Sequence, residues 1–280
     1  MKSLAIALLL LVPPAAGQSS VQPQVVPGLT GAAAQQAAGP AADHFLTLRR
    51  SQASSGLAAQ LHTDWGVNFP NSASQGLHAT QSVLATGTRT TTGGDYVYAP
   101  TAIPAGGACM EMTTAYTPSG PSLWAWDWCG GRDRVGKLTR MDSTFLSTYT
   151  TTVNGQSAYR VDIHRTNASN NTWTAYLFNV RTNVWDTYYT SSGTYDLPQF
   201  SFGWNMFEIY TTSGAYCSTF AGRRFESSSV EVFANNAWTP ATPANSRPTH
   251  RTIPPGTAYD CPSLTFTLVH ANDHWTAQVR

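Results

Sequence analysis

From about residue 81 to the end, the chain is a succession of short Thr-, Val-, Tyr- and Trp-rich runs broken by Gly, Pro or Asn, and this pattern constrains the fold most. Runs such as "CMEMTTAY", "LWAWDWC", "SAYRVDIHR", "WTAYLFNV", "WNMFEIYTT" and "SLTFTLVHA" have the length and composition of strands. Asn154-Gly155 sits between two of them, and that dipeptide tolerates the positive φ that a two-residue hairpin demands. Further turns are expected at 167–172 and 179–184. "MDSTFLSTY" reads either as a short helix capped by Asp142 or as another strand. Roughly ten or more strands with almost no helical period predict an all-β fold, a two-sheet antiparallel sandwich of concanavalin-like, jelly-roll type. No fixed repeat points to a propeller or solenoid.

The first residues, "MKSLAIALLLLVPPAAGQ", have the plan of a secretory signal peptide. Lys2 is followed by an apolar run from Leu4 to Val12 and then by small residues at Ala15-Ala16-Gly17. That run is shorter than the roughly 20 residues a membrane span needs. The expected organisation is a signal peptide over 1–17, a low-complexity leader or pro-segment over 18–80, and a sandwich over 81–280. The leader is expected to be disordered, apart from a helical turn in "AADHFLTLRR", and the body begins somewhere between Leu57 and Gln81.

Export puts the four cysteines in an oxidising compartment. Four cysteines allow three pairings. Cys109–Cys129 and Cys217–Cys261 are favoured, since each closes a modest loop between neighbouring elements. No CxxC pair and no His spacing suggests a metal, and no cofactor fingerprint occurs. Only 11% of residues are charged and the formal net charge is +1. That excludes the basic stripe of a nucleic-acid binder. The expected protein is extracellular and monomeric, without a nucleic-acid or membrane partner.

Side-chain alternation assigns faces. In "CMEMTTAY" the methionines suit the core, which turns Glu111 to the other side. In "LWAWDWC", Trp124, Trp126 and Trp128 share one face, and Leu123, Ala125, Asp127 and Cys129 the other. A Cys109–Cys129 bridge would put Glu111 and Asp127 on one face, an inference that a one-residue slip reverses. In "WNMFEIYTT", Trp204, Met206, Glu208 and Tyr210 share a side. The chain has only four glutamates, at 111, 208, 226 and 231. A mid-strand carboxylate among aromatics needs a partner or an altered proton affinity. The plainer reading is that each glutamate accepts hydrogen bonds and the tryptophans simply pack. No GxSxG elbow, HExxH helix or phosphate loop is present, so carboxylates must carry any hydrolysis.

Over about residues 95 to 215 this order of features resembles the glutamic peptidases of secreted β-sandwich type, nearer the neprosin-like group than the fungal eqolisins. Glu111 precedes the aromatic strand "LWAWDW", "NTWTAYLFNVRTNVWDT" supplies a Trp-rich couplet with Asn179, and "GWNMFEIY" places Glu208 late. Met206 and Phe207 stand where neprosin-like sequences usually have Gly-Gly, and Glu111 stands where eqolisins have Gln. The resemblance implies an acid endopeptidase in which Glu111 and Glu208 meet across one concave sheet. Glu208 would be the base and Glu111 the acid, in a peptide groove built from Trp124, Trp126, Trp128, Trp204 and Tyr210. The alternative is a carbohydrate-binding or polysaccharide-active sandwich, with the tryptophans stacking on sugar rings and Asp127, Asn179 and Glu208 holding hydroxyls.

Overall fold

The computed structural model describes residues 21–43, 46, 61–70, 74–90, 96–130, 134–194, 202–211, 215–251 and 261–280. The signal-peptide region therefore lies outside the described residues, as does most of "AADHFLTLRR" after Asp43. Two antiparallel sheets make the body, as the strand pattern predicts.

The first sheet runs β1 (Leu29–Thr30), β7 (Arg134–Arg140), β6 (Gly120–Asp127), β5 (Met110–Thr117), β4 (Tyr96–Ile103), β12 (Gly203–Thr211), β2 (Leu61–Phe69) and β15 (Arg247–Arg251). The second runs β11 (Val184–Thr190), β10 (Thr172–Asn179), β9 (Gln156–Asn167), β3 (Gly76–Ser82), β13 (Arg224–Ala234), β17 (His274–Val279) and β16 (Leu264–His270). β8 (Thr150–Val153) pairs with β9, and β14 (Ala237–Pro240) with β13. Three short helices complete the described elements: α1 (Gly31–Ala38), α2 (Ser143–Tyr149) and α3 (Tyr216–Thr219).

The local signals act where they stand. Asn154 and Gly155 take φ of 49° and 80° and join β8 to β9. Asn171 and Asn183, at φ 53° and 63°, turn the next two hairpins. "MDSTFLSTY" settles as helix because Asp142 Oδ1 accepts the Phe145 N–H at 3.0 Å. Asp142→Ala is expected to cost about 1 kcal/mol, read as a lower denaturant midpoint at unchanged slope.

Both favoured disulfides form, Cys109–Cys129 and Cys217–Cys261. They are compatible with an oxidising, extracellular setting. None of the described helices is long and apolar enough to cross a membrane. Leu61–Phe69 and Gly76–Ser82 are strands of the two sheets, so the body begins within the expected span of Leu57 to Gln81. Part of the leader is also ordered, as β1 and α1.

The inter-sheet core follows strand parity. Met112, Tyr116, Leu123, Phe207 and Ile209 of the first sheet are buried, as are Tyr159, Val161, Ile163, Phe225 and Trp275 of the second. Buried polar groups cross between the layers in pairs, as burial demands. Tyr159 Oη lies 2.7 Å from Thr114 Oγ1, and the Trp275 indole donates to Asn205 Oδ1 at 2.8 Å. The opposite parity of β5, β6 and β12 therefore points away from the second sheet. That parity carries Glu111, Trp124, Trp126, Trp204 and Glu208.

Candidate active site

Glu111 is opposite Trp126 across the β5–β6 ladder, and Thr113 is opposite Trp124. Thr113 also faces Thr101 of β4, and Thr101 faces Met206 of β12. One continuous outward face thus joins both candidate acids. Glu111 Oε1 accepts from Thr101 Oγ1 at 2.6 Å and from the Trp204 indole at 3.2 Å, while Oε2 accepts from the Trp128 indole at 3.1 Å. An indole only donates, whereas a hydroxyl donates or accepts. Thr101 is therefore the one partner of these three able to follow Glu111 through a change of protonation.

Trp128 lies just past the end of β6. Its N–H donates to Cys109 O at 2.8 Å, and the Cys109–Cys129 bridge locks the same crossing. Its ring stacks on Trp126 with centroids 4.9 Å apart. The disulfide thus fixes the wall beside Glu111.

Glu208 lies further along the face. Its cross-strand neighbours are Tyr98 of β4 and Asp64 of β2. β4 lies between β5 and β12, roughly 10 Å across the sheet, and Glu208 is level through Tyr98 with Ala115, four residues and roughly 13 Å along β5 from Glu111. Asp64, in contrast, is on the adjacent strand. Both Asp64 and Glu208 are buried, at 7% and 4% exposure, and Asp64 Oδ2 accepts from Thr249 Oγ1 at 2.9 Å. Gly66, two residues on, faces Met206, and a Cβ there would lie 2.3 Å from Asn205 O. That contact explains the glycine in "TDWGVNF".

The remaining candidates divide. Trp124, Trp204 and Tyr210 lie on the Glu111 face, with Tyr98 packed against both Trp124 and Tyr210. Asp127 does not. It pairs with Met110 and points toward the second sheet, where it accepts from Tyr189 Oη at 2.8 Å and from the Ser192 N–H. The bridged cysteines end their strands without bringing Glu111 and Asp127 to one face, because Glu111 aligns with Trp126. Asn179 also lies elsewhere. It ends β10 in the second sheet, donates to Asp186 Oδ2 at 2.8 Å, and accepts the Arg181 N–H in the turn. Of the other glutamates, Glu226 is buried in the second sheet against His274 and Asn154. Asp64 and Thr101 escaped the sequence reading. The alternation of "HTDWGVNF" signals a strand, but the segment was assigned to the leader.

The outward face is covered. Gln24 to Val26 run beside β11, with Val26 N–H donating to Thr187 O and Thr187 N–H to Gln24 O. β1 then pairs with β7, and Lys137 Nζ and Thr139 Oγ1 donate to the carbonyls of Val26 and Pro27. α1 crosses onto the face, where Gln35 Oε1 accepts the Val135 N–H at 2.9 Å and Tyr98 Oη donates to Ala41 O at 3.4 Å. Val135 is the β7 partner of Trp126. Gly28 sits so tightly that a Cβ would lie 2.4 Å from Thr139 Oγ1. A cavity of 760 Å³ opens between this stretch and α2, lined by Val26, Leu138, Phe145, Tyr149 and Asn179 among others.

Burial lowers the Lys137 ammonium from 10.5 to about 8. Between those values the unfolded chain binds more protons, so stability rises with pH there, and below about 8 the full penalty stands. The span is worth at most about 3 kcal/mol. Lys137→Met is expected to flatten the rise in Tm between about pH 8 and about pH 10; a wild-type Tm already flat over that window would contradict the assignment.

No group of three or more metal-ligating side chains occurs among the described residues. No protein-family model matches the chain, and no curated protein does. Solved structures do resemble it. Scytalido-glutamic peptidase with a peptide-based transition-state analogue aligns over 79% of this chain and 100% of its own, with TM-score 0.45 and 9% identity. The same peptidase with a transition-state analogue inhibitor covers 78% and 98%, with TM-score 0.44 and 12% identity. SCP-B, a member of the eqolisin family of peptidases, in complex with the tripeptide Ala-Ile-His, covers 79% and 100%, with TM-score 0.43 and 10% identity. The likeness is one of fold. These neighbours are glutamic peptidases of the eqolisin kind, and the neprosin-like part of the expected resemblance is not confirmed.

Proposed function

We propose that the chain is a secreted acid endopeptidase whose water-activating base is Glu208 and whose proton donor is Glu111. The observation that carries this reading is the placement of both acids on one outward sheet face walled by Trp126, Trp128 and Trp204. With β4 between them and Glu208 level with Ala115, four residues along β5 from Glu111, the two acids do not share one proton and would reach a scissile bond only from opposite sides of a peptide laid along the face. Glu208 takes a proton from water as the oxygen attacks the carbonyl carbon. The C–N bond then breaks, and Glu111 protonates the leaving nitrogen. Thr101 accepts from Glu111 when that acid carries its proton and donates when it does not.

The test is cleavage of a denatured protein between about pH 3 and about pH 7. Glu111→Gln is made in the full chain. Glu111→Gln is expected to lose about 100-fold or more in kcat/KM. Undiminished cleavage by Glu111→Gln removes that residue from the chemistry. Binding of a polysaccharide without proteolysis at any pH favours the sugar reading.

A further inference from the structure

The second sheet has an outer face of its own. Leu77, Val161, Leu177 and Val232 point into the core, so the alternate positions of β3, β9, β10 and β13 point away from it. These positions build an unbroken band of rings. In the order Phe178, Trp185, His78, Trp238 and Phe233, successive centroids are 5.4, 5.4, 5.8 and 5.1 Å apart. From Phe178 on β10 to Trp238 on β14 the band crosses four inter-strand spacings, roughly 19 Å. All five rings are only half-buried, whereas Trp124 and Trp126 of the first sheet are at most 1% exposed.

The charged groups along this band are of both signs and are not paired with each other. Arg160 lies over Phe178, 3.5 Å from its centroid, and 5.5 Å from that of Trp185. Its guanidinium nevertheless donates to no acceptor among the described residues. Glu231, opposite His78, accepts from no donor there, and the Trp185 and Trp238 indoles also donate to none. Asp162, the other cross-strand neighbour of His78, is already held by His164 at 2.7 Å. Partial burial lowers the Arg160 pKa, as it does for a cation that no acid compensates. A cavity of 270 Å³ opens beside that side chain, lined also by Thr151, Ala158, Phe178 and Val180.

We propose that the outer face of the second sheet binds a neutral polysaccharide, laid along the band of rings, with Arg160 and Glu231 holding its hydroxyls. The mixed charge selects this class. A polyanion would meet Glu231 and a polycation would meet Arg160, each at a cost. A proline-rich strand offers carbonyls alone and would leave Glu231 without a donor. A sugar hydroxyl donates and accepts at once, so a single chain satisfies the guanidinium, the carboxylate and both indoles. The apolar C–H faces of its rings cover the aromatic ones. This is not the face that alternation offered for sugars, where Trp124, Trp126 and Trp204 are closed off. It lies on the other sheet from Glu111 and Glu208, so the inference is independent of the peptidase reading. In a peptidase it would raise the effective concentration of the enzyme beside glycan-bearing substrates.

Affinity electrophoresis of the full chain tests the idea, in gels that carry soluble β-glucan, galactomannan or arabinoxylan. Polygalacturonate and chitosan gels supply the charged comparison, and a labelled polyproline peptide the protein-like one. At least one neutral polymer is expected to retard the wild type more than either charged polymer does, and the peptide is expected to stay unbound. Trp185→Ala and Trp238→Ala should each weaken binding by about tenfold or more. Arg160→Met and Glu231→Gln should each weaken it by about threefold or more, with urea midpoints close to the wild type. Free passage of the wild type through all three neutral gels overturns the proposal. So does a preference for a charged polymer, or binding of the peptide alone. Retardation undiminished in both tryptophan variants places the sugar elsewhere and overturns it as well. If those two variants fail to fold, Arg160→Met and Glu231→Gln decide, and unchanged binding by both is the overturning result.

Discussion

Glu208→Gln is expected to reduce acid proteolysis by about 100-fold to 10,000-fold in kcat/KM, the range that a positioned general base supplies. The amide keeps the size and burial of the side chain but cannot accept a proton from water. The loss should appear in kcat with KM little changed, because the walls that hold the peptide, Trp126, Trp128 and Trp204, are untouched. Stability should move little, since the amide fills the same volume. The measurement is single-turnover cleavage together with a denaturant curve. A variant that is inactive but also unfolded counts against the role, as does one that is folded and fully active.

Trp275→Ala is expected to cost about 3 to 5 kcal/mol of stability, as large-to-small changes of buried aromatics do. Trp275 is fully buried among Phe207, Phe225 and Ala277, and its indole is the donor to Asn205 of β12. Alanine leaves a void and strips a buried amide of that partner. Trp275→Phe keeps most of the volume and loses the bond, so about 1 to 3 kcal/mol is expected. Asn205 and Glu208 are on opposite faces of one strand. The folded fraction of Trp275→Phe should therefore cleave substrate at the wild-type rate. A urea midpoint unchanged by Trp275→Ala would refute this account of the core.

What the sequence made legible was local. Asn154-Gly155, Asp142 and Asn183 each fix the backbone with their own atoms, and each stands where it was expected. Alternation alone gave the parity of Glu111 against the methionines and of the tryptophans against Asp127. What it could not give was the ladder between distant strands. Whether Glu111 meets Trp126 or Asp127 depends on one residue of slip between β5 and β6. That Asp64, not Glu111, lies opposite Glu208 depends on a pairing across more than a hundred residues. The leader misled for another reason. Low complexity in isolation gives an alanine-rich segment too little to bury, but a ready-made aromatic face supplies the missing partner.

The leader also seals the ends of the hydrogen-bonded ladders. Val25 bridges to Thr187 on the outer edge of β11, and Leu29–Thr30 cap β7. Once it withdraws, two strand borders on the same flank of the molecule present bare N–H and C=O groups to any neighbour. Such borders template association between chains. A chain without residues 24–30 should consequently be more aggregation-prone, increasingly so with concentration.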